Sequence, residues 1–271
     1  QEKASKELLE NMNKREGPLF EGDERFLFNN FIIQTKETSH LDLENISLAK
    51  ITNDNWVSRN TINSLIALDS FSLLQKAYMT YGRDFYDNYI LDWNILSNGN
   101  KKLIDQWATY EMLLFATNSF HALRPHNRKF YFNSFEVGFE PIYFDGNPRD
   151  INSKWLRYMP SFKDYPQLDE SHFNILEDKV SSINPEILRN ETQGNRFKLT
   201  LSESELIIQN TLEKVQRLRN SFRQDKLNSK NLKSKNYKDI SISENLYRNI
   251  KNSIPKSYIA KIILDTVGFE E

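Results

Sequence analysis

The chain has 271 residues, 38% hydrophobic and 27% charged, which supplies apolar side chains for a sizeable core and excludes disorder throughout. Its 36 Lys and Arg oppose 37 Asp and Glu, a net charge of −1, so no global electrostatic pull draws it to nucleic acid or anionic lipid. The absence of cysteine excludes disulfides, thiolate nucleophiles and zinc–thiolate sites together, and no apolar run reaches the roughly eighteen residues of a membrane span. Composition leaves the compartment open between the cell exterior and the cytoplasm, and the sequence opens on Gln1 rather than Met.

Taken in chain order, Leu8, Leu9 and Met12 among charged residues predict a short amphipathic helix over 5–12, ended by Gly17-Pro18. The apolar groups Phe26-Leu27-Phe28 and Phe31-Ile32-Ile33 predict two short strands within 19–38. Residues 61–81 are apolar almost without pause and lack Gly and Pro before Gly82, which predicts a well-buried helix. A second core helix is expected over 103–116, with Trp107, Tyr110, Leu113 and Leu114. Past Asn147, Pro148, Pro160, Pro166 and Pro185 predict loops and small helices. Ser202 and Glu205 form a capping-box pattern, and Ile208, Leu212, Val215, Leu218 and Phe222 make one stripe along a helix of about six turns. Lys226, Lys230, Lys233 and Lys235 among Asn and Ser predict a mobile basic linker over 223–238. Residues 243–269 form a last amphipathic stretch with Leu246, Ile250, Ile254 and Ile259. The lysine cluster also suits an acidic or nucleic-acid partner, but only Tyr237 could stack on a base, so a solvated linker is preferred.

Chemistry concentrates in residues 118–147, in the order helix, polar loop, hairpin and acidic turn. The strands are expected within 128–132 and 139–144. The two ends of a hairpin meet in space, so Asn127 before its first strand and Asp145 after its second are expected side by side as ligands of a divalent metal. Gly146 permits the sharp bend, and Arg124 and Arg128 flank the place as phosphate contacts.

These residues resemble the CotH (spore-coat protein H) kinase family at two anchors. The first runs from Lys6-Glu7-Leu8-Leu9-Glu10 into Arg15-Glu16-Gly17-Pro18-Leu19-Phe20 and Asp23-Glu24; the second joins the His-Asn loop and Lys129-Phe130-Tyr131-Phe132 to Pro141-Ile142-Tyr143-Phe144-Asp145. The resemblance covers roughly the first 150 residues with loose spacing. It implies an α+β, atypical protein-kinase-like fold in which residues 1–38 are the remainder of the N-lobe and the lobe connection, 39–200 the catalytic lobe and 201–271 a helical extension. It also implies ATP as co-substrate, Mg2+ or Mn2+, and a protein acceptor, Ser-rich in type. The family's loop acid has no counterpart, since no acid stands between Glu111 and Glu136. His121 takes the proton-acceptor role by default, or the lobe binds nucleotide without catalysis. A Gly-rich phosphate loop and a nucleotide-binding strand Lys are also missing, so the resemblance implies an N-terminally incomplete fragment.

Simpler readings stand beside these. Asp145-Gly146 is an ordinary hairpin turn signal, His121 and His126 suit structural roles, and Asn127 serves equally as a turn cap. A zinc site on His121 and His126 lacks a nearby acidic third ligand in sequence. A non-enzymatic scaffold and a metal-dependent hydrolase using His121, His126 and Asp145 are the competing function classes.

Overall fold

A computed structural model describes residues 6–22, 49–81, 90–148, 152–192 and 198–231. They form an α+β arrangement around a four-stranded, wholly antiparallel sheet of order β2-β1-β3-β4. Its strands are β1 (Leu19–Gly22), β2 (Ala49–Ile51), β3 (Lys129–Asn133) and β4 (Gly138–Ile142). The strands expected at 26–28 and 31–33 lie outside the described residues.

Period-two alternation assigns each strand residue to a face. Phe20 pairs with Phe130, and Phe132 with Phe139, so one face is a sheet of aromatic rings within the main core. On it packs the helix at Lys101–Ala116, which begins at the cap of Asn100 rather than at 103 and sends Trp107 Nε1–H to the Phe139 carbonyl at 2.8 Å. The opposite face carries Leu19, Tyr131 and Ile142, covered by Leu9 of helix α1 (Lys6–Asn11). That helix is where the spacing of Leu8 and Leu9 predicts it. Lys14 then binds the Glu140 carboxylate of β4, and Tyr131 O–H the Arg15 carbonyl at 2.8 Å.

Between β2 and the sheet's second pair come α2 (Asp54–Val57), α3 (Thr61–Met79), α4 (Trp93–Leu96) and α5, the helix at Lys101–Ala116. The predicted helix over 61–81 is present as α3, capped by Asn60, but it is buried on one side only. Ala67, Leu74, Ala77 and Tyr78 face the core, while Ile62, Leu65, Leu68 and Met79 are exposed. An apolar run that is nearly continuous gives no periodicity from which to tell the two sides apart.

The proline-rich stretch holds more helix than the sequence predicts. Asp169 caps α6 (Glu170–Ser181) in a capping box whose returning side chain is His172, and Pro185 opens α7 (Pro185–Thr192) instead of breaking it, as its fixed φ allows at a first helical position. Helix α8 (Leu201–Asn231) has 31 residues. Its box is Thr200 with Glu203, two residues before the expected pair: Thr200 N–H donates to Glu203 Oε2 at 2.7 Å, and Glu203 N–H donates to Thr200 Oγ1 at 3.2 Å. The predicted stripe is correct, with Val215, Leu218 and Phe222 in the same core as Trp107 and Phe115. The helix that opens the expected C-terminal extension thus packs its stripe into the main core. The expected linker is corrected as well: α8 continues through Asn231, because Arg, Gln, Lys and Leu propagate a helix already nucleated. The remainder of that linker and the stretch 243–269 lie outside the described residues.

Candidate functional site

The loop from α5 to β3 is built from buried polar contacts. Asn118 follows the helix with φ +55, a left-handed conformation that Asn tolerates. Its side chain donates from Nδ2 to the Trp155 carbonyl at 3.0 Å and accepts from Arg157 N–H at 2.9 Å. Two short 3-10 turns follow, Phe120–Leu123 and Pro125–Asn127.

The predicted site residues divide between surface and interior. His121 and Asp145 come together, with Nε2 3.5 Å from Oδ2 and side chains 41% and 40% exposed. At that separation the contact is electrostatic rather than a well-formed hydrogen bond, and protonation of the imidazole would strengthen it. The His126 ring meets the His121 ring edge-on at 5.8 Å. Asn127 is buried and donates from Nδ2 to the His121 carbonyl at 3.1 Å, which fixes the amide and the loop together. Arg124 is half-buried at the corner between the two turns, where its carbonyl accepts from the N–H groups of Asn127 and Arg128.

Arg128 is not placed as a phosphate contact. Its guanidinium lies in the interior, giving Nε–H to the Leu123 carbonyl at 3.0 Å and Nη1 to the Glu111 carboxylate of α5 at 3.0 Å. Burial works most strongly against its charge, but Glu111, together with Tyr78 and Tyr165, raises its affinity for the proton overall. A buried cation is stable only when it is paired, and the signal for this was a lone acid, Glu111, inside an otherwise apolar helix face.

Asp145 stands three residues past β4 with φ +42, and Asn147 has φ +46. Between them Gly146 lies against Tyr143 so closely that a Cβ there would be 2.5 Å from the phenol oxygen. The aromatic exit of β4 is therefore wrapped over the turn that presents Asp145. Phe144 carries Lys129 Nζ at 4.1 Å from its ring centroid, and the same ammonium pairs with Glu21 of β1.

Asp145 also lines a cleft of about 850 Å³. The cleft is walled by α1, α5, β3, β4 and its exit, α6, α7 and α8, with Leu113, Ile142, Leu176 and Ile208 among its apolar lining. Tyr110 borders it, its hydroxyl pushed far above the usual phenol value chiefly by burial. No sequence motif announced this cleft, because its walls come from seven separated elements.

Among the described residues no group of three or more His, Asp or Glu side chains converges to hold a metal ion. The site offers one carboxylate, Asp145, and one amide, Asn127. Two such groups are too few for an all-protein metal cage. Comparison with family models, curated proteins and solved structures gives no match to the chain.

Proposed function

We infer that the chain is a kinase-like protein of the CotH type, transferring the γ-phosphoryl group of ATP to a protein hydroxyl. The observation that carries this reading is the His121–Asp145 contact, an exposed imidazole–carboxylate pair held between the two ends of a hairpin. In the reaction the acceptor hydroxyl oxygen forms the new bond to the γ-phosphorus while the bond to the bridging oxygen of ADP breaks. The hydroxyl proton passes to the His121 nitrogen not facing Asp145, and the Asp145 carboxylate stabilises the imidazolium. Asn127 and Asp145 would be the protein groups holding magnesium, whose chemistry when bound would be to offset charge on the phosphates. Arg124 is the remaining phosphate contact of the expected two.

A second reading, nucleotide binding without transfer, is favoured by a specific position. In a kinase catalytic loop the acid stands five residues before the metal-binding Asn, and here that residue is Ala122, 1% exposed.

Incubating the protein with γ-labelled ATP, magnesium and Ser-rich acceptors decides between them. Transfer that falls at least tenfold in both His121→Ala and Asp145→Asn, a loss of about 1.4 kcal/mol of transition-state stabilisation, supports the kinase reading. Magnesium-dependent ATP binding without transfer supports the second. Absence of both binding and transfer removes the two together.

A further inference from the structure

The cleft beside Asp145 has a chemistry of its own. Its volume, about 850 Å³, lies within the range of small-molecule sites, roughly 300–1,000 Å³. Its lining is mainly apolar: Leu113 of α5, Ile142 of β4, Leu176 of α6, Ile183 and Ile208 of α8 supply aliphatic walls, with Tyr110, Tyr143 and Phe144 beside them. Leu113 and Ile183 remain 37% and 42% exposed, so apolar surface is left facing water on two sides of the same hollow. A peptide helix, about 10 Å across with a pitch of 5.4 Å, fills such a volume within roughly two turns, too few for anchors at i, i+4 and i+7. An extended hydrocarbon chain uses the same walls fully.

The charged groups of the lining fix the polarity of the occupant's other end. They are two cations, Lys129 and Lys179, and one anion, Asp145. Asp145 faces His121, and Lys129 is held by Glu21 and the Phe144 ring. Lys179, on α6, is exposed and forms no ion pair with the described residues. It is the cation left to meet an anionic head group without first breaking an existing pair.

We propose that this cleft binds a long-chain carboxylate, with the hydrocarbon tail against Leu113, Leu176, Ile183 and Ile208 and the carboxylate at Lys179. The site is independent of the phosphoryl-transfer reading, since nothing in it requires nucleotide or magnesium.

The test is calorimetric titration of the full chain with laurate and with the uncharged dodecanol, in buffer free of nucleotide and magnesium. The expected result is saturable binding of one laurate per chain. Ile183→Asp and Leu113→Asp, both at partly exposed positions that tolerate a charge in the fold, weaken laurate and dodecanol alike by about tenfold or more through the cost of seating a tail against a carboxylate. Lys179→Gln weakens laurate several-fold and leaves dodecanol unchanged. Circular dichroism verifies that each variant is folded. No saturable laurate binding, laurate binding indifferent to both aspartate variants, or a Lys179→Gln effect equal for the two ligands would overturn the proposal. So would saturable binding of an amphipathic helical peptide without any of laurate.

Discussion

The guanidinium of Arg128 and the carboxylate of Glu111 meet at 3.0 Å with side chains only 4% and 0% exposed, joining α5 to the residue that leads into β3. Removing one partner leaves the other charged and buried. Glu111→Met or Arg128→Met is therefore expected to cost about 3–5 kcal/mol, whereas the Glu111→Met/Arg128→Met double variant stays within roughly 2 kcal/mol of the parent. Urea denaturation of the four proteins measures this as a coupling energy, and additive single effects would contradict it.

His172 serves two contacts at once. Its Nδ1 accepts from Asp169 N–H at 3.1 Å at the start of α6, and its Nε2 lies 3.4 Å from Asp105 Oδ1 on α5. His172→Ala should lower stability by about 1–2 kcal/mol through loss of the capping box and of buried ring. His172→Gln should recover part of it, because Gln at the third helical position can still reach back to the cap. Thermal melting of the pair checks the order; equal losses would show that the cap contributes nothing.

Acid should loosen the protein from two directions. Burial raises the proton affinity of Glu21 and Glu170, yet Lys129 and Lys50 hold Glu21, and Arg223 and Arg219 hold Glu170, below the ordinary 4.5. A carboxyl whose native pKa is depressed contributes stability that is present above its unfolded value and lost as pH falls through the native one. Urea midpoints are expected to hold down to about pH 5 and decline below about 4.5, with a shallower decline in a Glu21→Gln/Glu170→Gln variant.

Alkali acts on Tyr131. Burial, then Glu140, pushes its hydroxyl up to about 12 from 10.0, and that hydroxyl donates to the Arg15 carbonyl. Its contribution is complete below pH 10 and disappears as pH rises through about 12. Tyr131→Phe should flatten the alkaline limb of the stability profile, and an unchanged limb would assign that loss elsewhere.

Gly138 opens β4 where the α4–α5 turn presses on it. A Cβ there would stand 2.5 Å from Leu103 Cδ1, 3.2 Å from the Leu96 carbonyl oxygen and 3.3 Å from Ser97 Cα. Gly138→Ala is expected to cost about 1–3 kcal/mol. Leu103→Ala in that background should relieve only a part, since two of the three neighbours are backbone; complete relief, read in urea melts, would show that the backbone yields freely.

The hairpin and the meeting of its two ends could be read from the sequence because both depend on neighbours close along the chain. The aromatic run Phe130-Tyr131-Phe132 and the aromatic residues from Phe139 to Phe144 marked the strands, and closure of the hairpin brought the loop before it near Asp145. The partner found for Asp145 is His121, while Asn127 turns its amide to a backbone carbonyl, a choice set by loop geometry that spacing does not encode. Arg128 misled for the opposite reason: its position in a polar loop suggested exposure, whereas its counter-charge lies 17 residues upstream. The first part of the basic stretch, 223–231, misled through composition, since its Arg, Gln, Lys and Leu also favour helix.

Gly22 and Ala49 face each other directly across the pairing of β1 with β2, although 26 residues separate them in the sequence. The register of β1 against β2 is therefore held by a long-range contact, whose loop-closure cost grows only as the logarithm of the intervening length.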